Sequence, residues 1–263
     1  MSGLQSFMRS WAIQRRVIWA LLMREVLTRY GRHNIGFMWL FVEPMLFTMG
    51  VTALWSATKS IHGSNLPIVA FAITGYSSVL LWRNMPGRCV DAVEPNRSLL
   101  FHRNVRVIDL FLARLLLEAM GATISLIVLS TFFILIGQMD PPEDVLQVLG
   151  GWLMLAWFGM ALAMTLGAGS ERSELIHKLW HPASYLLFPL SGAAFLLNSM
   201  PVQAQIYLEY LPMIHGLEYL REGFFGSKIH AIYDIGYMAM VNLVLTLVGL
   251  SQIRLLADTV IPE

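Results

Sequence analysis

Six long apolar stretches alternate with short polar ones along this chain, at roughly 36–57, 66–86, 107–137, 145–168, 178–200 and 234–254. About 17–25 apolar residues cross a bilayer core as a helix. The pattern therefore predicts an all-α membrane protein of six transmembrane helices. The stretch 13–32 follows a different rule. Trp19, Leu22, Val26 and Tyr30 recur on one helical face, with Arg24, Thr28 and Arg32 opposite. An Arg-rich amphipathic helix before the first span suits the cytoplasmic interface.

Charge gives the orientation. Arg9, Arg15, Arg16, Arg24, Arg29 and Arg32 precede the first span; Arg83, Arg88, Arg97, Arg103, Arg106 and Arg114 flank the second gap; Arg172, Lys178 and Arg254 follow at later even gaps. The opposite side holds only Lys59, Arg221 and Lys228, and its loop at 140–144 is acidic. The crowded side is expected to be cytoplasmic, with both termini there. The chain divides into a cytoplasmic N-terminal segment, 1–35, and a transmembrane domain, 36–263. At 263 residues, 56% hydrophobic and 13% charged, it leaves no length for a second globular domain. The apolar run at 17–23 is followed by Arg24 and Glu25, so no cleavable signal is expected. A single cysteine, Cys89, excludes an intrachain disulfide. Following the second span on the positive side, it is expected to be exposed to the cytoplasm.

Local features refine the spans. Glu43 and Pro44 interrupt the first; a carboxylate there is either functional or reaches the headgroups, and proline removes a helix hydrogen bond. Thr74, Gly75, Ser77 and Ser78 in the second let helices approach closely. Arg114 and Glu118 are spaced to pair at i, i+4. Pro182 and Pro189 break the fifth stretch. Between Pro201 and the sixth span lie about 30 residues too apolar for an exposed loop and too charged to cross. Short helices dipping into the outer leaflet and buried against protein would satisfy their backbone. Glu209, His215, Glu218, Arg221 and Glu222 fall here, with Glu218 and Arg221 one turn apart.

The expected chemistry is that of a path without an engine. No Gly-x-x-x-x-Gly-Lys-Ser/Thr loop occurs, so the chain by itself hydrolyses no ATP. It shows no His-Glu-x-x-His motif and no Gly-x-Ser-x-Gly elbow, and its seven histidines are scattered. Spans 2, 4 and 6 carry no carboxylate or histidine at their centres, against a proton-driven carrier. We expect no catalytic residue, no metal and no cofactor on this chain, and no nucleic-acid partner. An intramembrane enzyme acting on lipid-linked sugars would need a carboxylate or histidine constellation, and Glu43 stands alone.

Four segments resemble a known family: Arg24-Glu-Val-Leu-Thr-Arg-Tyr-Gly31 with Gly36-Phe-Met-Trp-Leu-Phe-Val-Glu-Pro44; Ala92-Val-Glu-Pro-Asn-Arg-Ser-Leu-Leu-Phe101; Ile108-Asp109 with Ala113-Arg-Leu-Leu-Leu-Glu118; and Leu211-Pro-Met-Ile-His215 with Glu218-Tyr-Leu-Arg-Glu222. Together they resemble the permease subunits of type-2 ABC exporters that secrete capsular polysaccharide in Gram-negative bacteria, the KpsM/BexB/CtrC group. The resemblance implies the ABC-2 fold, two permease copies around a channel, and two separate ATPase subunits that carry ATP and Mg. It also implies a co-polymerase, an outer-membrane export channel, and a lipid-linked polysaccharide as cargo. Related permeases move O-antigen, teichoic acid or drugs, which keeps those readings open.

The resemblance also assigns sites. Asp91, Glu94, Pro95, Asn96 and Arg97 fall where the family couples to its ATPase. Arg24, Glu25 and Arg29 belong to the N-terminal interface helix. Trp39, Glu43, Phe47 and Trp55 lie in the first span, which faces the channel in the family, and aromatic faces suit sugar rings. His215, Glu218 and Arg221 lie in the short re-entrant helices that close the channel from outside, as an outer gate or as an ion pair that stabilises the fold.

Overall fold

The computed structural model describes residues 3–30, 34–58, 66–90, 92–101 and 104–260, and among these the regular elements are all helical. In chain order they are α1 (Gly3–Tyr30), α2 (Asn34–Thr58) and α3 (Ile68–Cys89), then a 3₁₀ segment, Glu94–Phe101. Next come α4 (Val107–Leu135), α5 (Val145–Ser170) and α6 (Glu174–Leu190). Two short helices, α7 (Val202–Leu208) and α8 (Pro212–Phe225), precede α9 (Ile235–Val260). α4, α5 and the Ile235–Thr259 part of α9 are long and apolar enough to cross a membrane.

α3 and α5 form the centre. Residues 70–82 of α3 are buried on every face, and α5 packs on α3, α8 and α9. Small residues permit this closeness. A Cβ on Gly159 would lie 2.8 Å from Trp82 Cα, and one on Gly75 would lie 2.6 Å from the Ala193 carbonyl oxygen. The lipid-type surface is supplied by the outer faces of α4 and α9, where Ile127, Leu135, Leu243 and Leu247 are exposed.

One end of the bundle gathers the arginines. Arg114 donates to the Arg88 carbonyl at 2.7 Å, Arg88 reaches Glu118 at 3.2 Å, and Gly169 of α5 lies beside Gln252 of α9. At the opposite end Lys228 meets Asp140 at 3.1 Å and Asp144 caps α5 by accepting from the Gln147 amide at 3.0 Å. The segments after α3 and after α5 thus lie at one end, where the Val93 amide donates to Glu171, and those before α5 and before α9 lie at the other.

Several boundaries and contacts differ from the sequence expectation. α1 begins at Gly3, ten residues before the expected amphipathic start. Of the face expected toward the membrane, Leu22 and Val26 are buried against protein, whereas Trp19 is 59% exposed. Arg24 is turned toward protein and bonds Asn96. α6 stops at Leu190, and 191–200 is a non-helical turn segment with a short 3₁₀ piece; Gly192 there has φ +80°, a conformation suited to glycine. The i, i+4 spacing of Arg114 and Glu118 is overridden by longer-range partners. Glu118 pairs with Arg29 and Arg88, and Arg114 pairs with Glu25 at 3.4 Å. Cys89 is fully buried against Gly167 and its neighbours; the tight α3–α5 contact turns its side chain inward although it follows the last apolar turn.

Candidate functional site

A concave surface opens between α2, α3 and α6, toward the arginine-rich end. Its volume is about 600 Å³, and Trp39, Glu43, Phe47, Arg83, Arg88 and Tyr185 line it. A second hollow of about 200 Å³ shares Glu43, Arg83, Arg88 and Tyr185 and adds Trp180 and His181. Ligand sites of this kind fall at about 300–1,000 Å³.

The local build explains the chemistry. Trp39, Glu43 and Phe47 lie about a turn apart along α2, so one face of that helix presents two rings around one carboxylate. Trp39 is 49% and Phe47 47% exposed. From α3, the Arg83 guanidinium lies over the rings of Tyr185 and Phe188, at 4.8 and 5.5 Å from their centroids. Its Nε is buried with no hydrogen-bond partner among the described residues. Cation–π contact holds the head without consuming its donors. Arg88 is partly neutralised by Glu118. The cleft therefore offers apolar ring faces beside a guanidinium with donors to spare, a surface matched to a sugar bearing an anionic group.

Ring contacts run onward from this cleft. Phe188 meets Tyr76 at 5.3 Å, Tyr76 meets Trp55 at 5.4 Å and Phe47 at 5.8 Å, and Trp55 meets Phe71 at 6.2 Å. Phe71 then carries the Arg221 guanidinium at 3.8 Å. Trp55 thus packs in an aromatic row toward the far end, away from the cleft that Trp39, Glu43 and Phe47 share.

The far end is built from α8. Arg221 and Glu218 are fully or almost fully buried, and His215 is buried. Arg221 donates to the carbonyls of Gly192, Ala193 and Phe195 at 2.6, 2.6 and 2.8 Å. Glu218 accepts from the Leu197 amide at 3.1 Å. His215 accepts from the Asp234 amide at Nδ1, which leaves Nε2 to donate to the Glu209 carbonyl at 2.7 Å. Glu222 accepts from Gln147 and Tyr233; that second bond pushes the Tyr233 phenol up to about 12. None of the three assigned gate side chains presents surface to a passing ligand in this arrangement.

The remaining assigned residues fall in two places. In the 3₁₀ segment Glu94, Pro95 and Arg97 are exposed, with Phe101 82% exposed beside them. Asn96 points inward, accepting from Arg24 and donating to the Ala92 carbonyl at 2.8 Å. Asp91 lies outside the described residues. Glu25 and Arg29 bind each other at 2.9 Å and bridge α1 to α4 through Arg114 and Glu118. Sequence reasoning missed Arg83, Asn84, Tyr185 and His181 as a group. Arg83 and Asn84 do stand out as polar positions inside the last turns of an apolar helix, but their partners lie about 100 residues away.

A family model for the ABC-2 type transporter matches residues 16–225. The chain belongs to that family. It is 45% identical over 258 residues, 98% of this chain and 97% of the other, to the capsule polysaccharide export inner-membrane protein CtrC of Neisseria meningitidis serogroup B. It is 42% identical over the same shares to BexB of Haemophilus influenzae, also a capsule polysaccharide export inner-membrane protein. The polysialic acid transport protein KpsM of Escherichia coli is 25% identical over 92% of this chain. The ABC-2 match spans α1 through α8, so it includes the cleft, the 3₁₀ segment and the Arg221 site alike.

Proposed function

We propose that this chain is the membrane-spanning permease subunit of an ATP-driven exporter that carries lipid-linked capsular polysaccharide across the inner membrane. The cleft at the arginine-rich end carries the reading: Trp39, Phe47 and Tyr185 offer ring faces, and Arg83 offers free donors to an acidic sugar. The near full-length likeness to CtrC and BexB supports the cargo. In this reading α2 to α6 and α9 make six crossings, with both termini cytoplasmic. Two copies face each other across the channel. Two ATPase subunits, which hold the ATP and Mg, dock on the exposed 3₁₀ residues Glu94, Pro95, Arg97 and Phe101. A co-polymerase and an outer-membrane channel complete the route. His215, Glu218 and Arg221 shape the outer gate by fixing its backbone and do not touch polymer.

Complementation tests it. The chain and its ATPase should restore surface capsule to a strain lacking its own permease. Arg83→Gln and Tyr185→Ala should each lower surface capsule severalfold at unchanged membrane level. Full export by the double variant would remove the cleft from the path.

A further inference from the structure

A further concave surface, of about 320 Å³, lies between α1 and α4. Trp11, Ile18, Trp19 and Leu22 of α1 form one wall, at the i, i+7, i+8 and i+11 spacing of a single helical stripe. Leu116 and Met120 of α4 form the other. The groove is held open from both ends. Gln14 donates to the buried Asp109 at the start of α4, and Glu25 and Arg29 bind Arg114 and Glu118 further along.

Its walls are apolar, yet Trp11 is 64% exposed and Trp19 59%. Large rings at such a place sit at the headgroup level of a bilayer. α4 is one of the helices able to cross a membrane, so the groove opens where that helix emerges from lipid. The polar component is cationic. From Gly3 to Arg24 the chain has no Asp or Glu, and it carries Arg9, Arg15 and Arg16. Arg15 lines the groove, is exposed, and makes no ion pair among the described residues. An apolar trough with one unpaired guanidinium at its rim complements a molecule with a long hydrocarbon tail and an anionic head.

We infer that the groove between α1 and α4 binds an anionic phospholipid, its acyl chain between Ile18 and Met120 and its phosphate on Arg15. This site is separate from the cleft and does not rest on the export reading. Bound there, a lipid clamps α1 to α4 beside the Glu25, Arg29, Arg114 and Glu118 ion pairs.

The test uses the full chain in nanodiscs of phosphatidylcholine, with a small fraction of dibrominated phosphatidylglycerol or dibrominated phosphatidylcholine. The chain has 8 tryptophans; the Trp11 and Trp19 signal is the difference between wild type and a Trp11→Phe, Trp19→Phe variant. Brominated phosphatidylglycerol should quench that component at about fivefold lower mole fraction than brominated phosphatidylcholine, the effect of one cation at the headgroup. The other tryptophans should show no such preference. Arg15→Gln, at an exposed position, should equalise the two lipids while quenching persists. The inference is overturned by equal quenching in wild type, by a preference that survives Arg15→Gln, or by loss of quenching when the ATPase subunit is added, which would give the groove to a protein.

Discussion

Glu218 and Arg221, one turn apart on α8, hold the turn at 192–197 and not each other. The guanidinium takes three carbonyls of that turn and the carboxylate takes the Leu197 amide. Both ends of the non-helical segment after α6 are thus fastened to one helix face. Arg221→Ala leaves those buried carbonyls unpaired, and removing one partner of a buried charged site costs about 3–5 kcal/mol. We expect little folded protein in the membrane for this variant, read by size-exclusion in detergent. Arg221→Lys keeps the charge but loses the fork and should recover part of the yield. Normal Arg221→Ala yield with altered export would make the residue a working part of the gate.

Gly75 is the matching recess in α3. A methyl group there would meet the Ala193 oxygen and Arg221 Nη2, each at 2.6 Å. Overpacking of this kind costs about 1–3 kcal/mol. Gly75→Ala should lower the unfolding temperature in detergent, whereas Gly50→Ala, with open space around its site, should leave it unchanged.

Cys89 should resist labelling. Its side chain is buried, so a membrane-impermeant maleimide should fail to modify it from either side until the protein is denatured. In a Cys89→Ala background, Ser98→Cys on the exposed face of the 3₁₀ segment should react in inside-out vesicles and not in spheroplasts. Reaction in spheroplasts would reverse the orientation.

The 3₁₀ segment separates contact from support. Exchanging the charges at Glu94 and Arg97 should reduce export and ATPase coupling at unchanged membrane level, because both side chains point outward. Asn96→Ala should act differently, loosening α1 through the lost Arg24 bond and lowering thermal stability. If the charge exchange exports normally, the docking surface lies elsewhere.

The α1–α4 ion network should be measurable by a double-mutant cycle. Arg29 and Glu118 are both mostly shielded, and interacting pairs of this kind couple by about 0.5–3 kcal/mol. Arg29→Gln and Glu118→Gln should therefore be sub-additive in unfolding temperature. Additive losses would show that the two side chains act independently.

Helix order was legible in the chain because apolar length and arginine placement obey constraints that need no partner. The short helices before α9 were equally legible: 203–225 is too charged to cross and too apolar to expose. The clefts were not legible. Arg83 reads as a topology charge, and Tyr185 carries no signal of its own, until α3 and α6 are brought side by side. Arg114 and Glu118 had good local spacing, yet α1 supplied better partners from about 90 residues away. Cys89 illustrates a third limit: position after a span says nothing of which way a side chain faces when a glycine-lined neighbour lies against it.

The early end of α6 bears on bilayer thickness. Its 17 residues rise about 25 Å, against a hydrocarbon core of about 30 Å. Counted as a crossing, it leaves roughly one turn uncovered, and Arg221 supplies donors for the carbonyls of Gly192, Ala193 and Phe195 in the non-helical segment that takes that turn's place. A guanidinium has fixed reach where another helical turn could tilt. The surrounding lipid must therefore adjust to the protein at this point, so export should fall in thick bilayers and hold in thin ones.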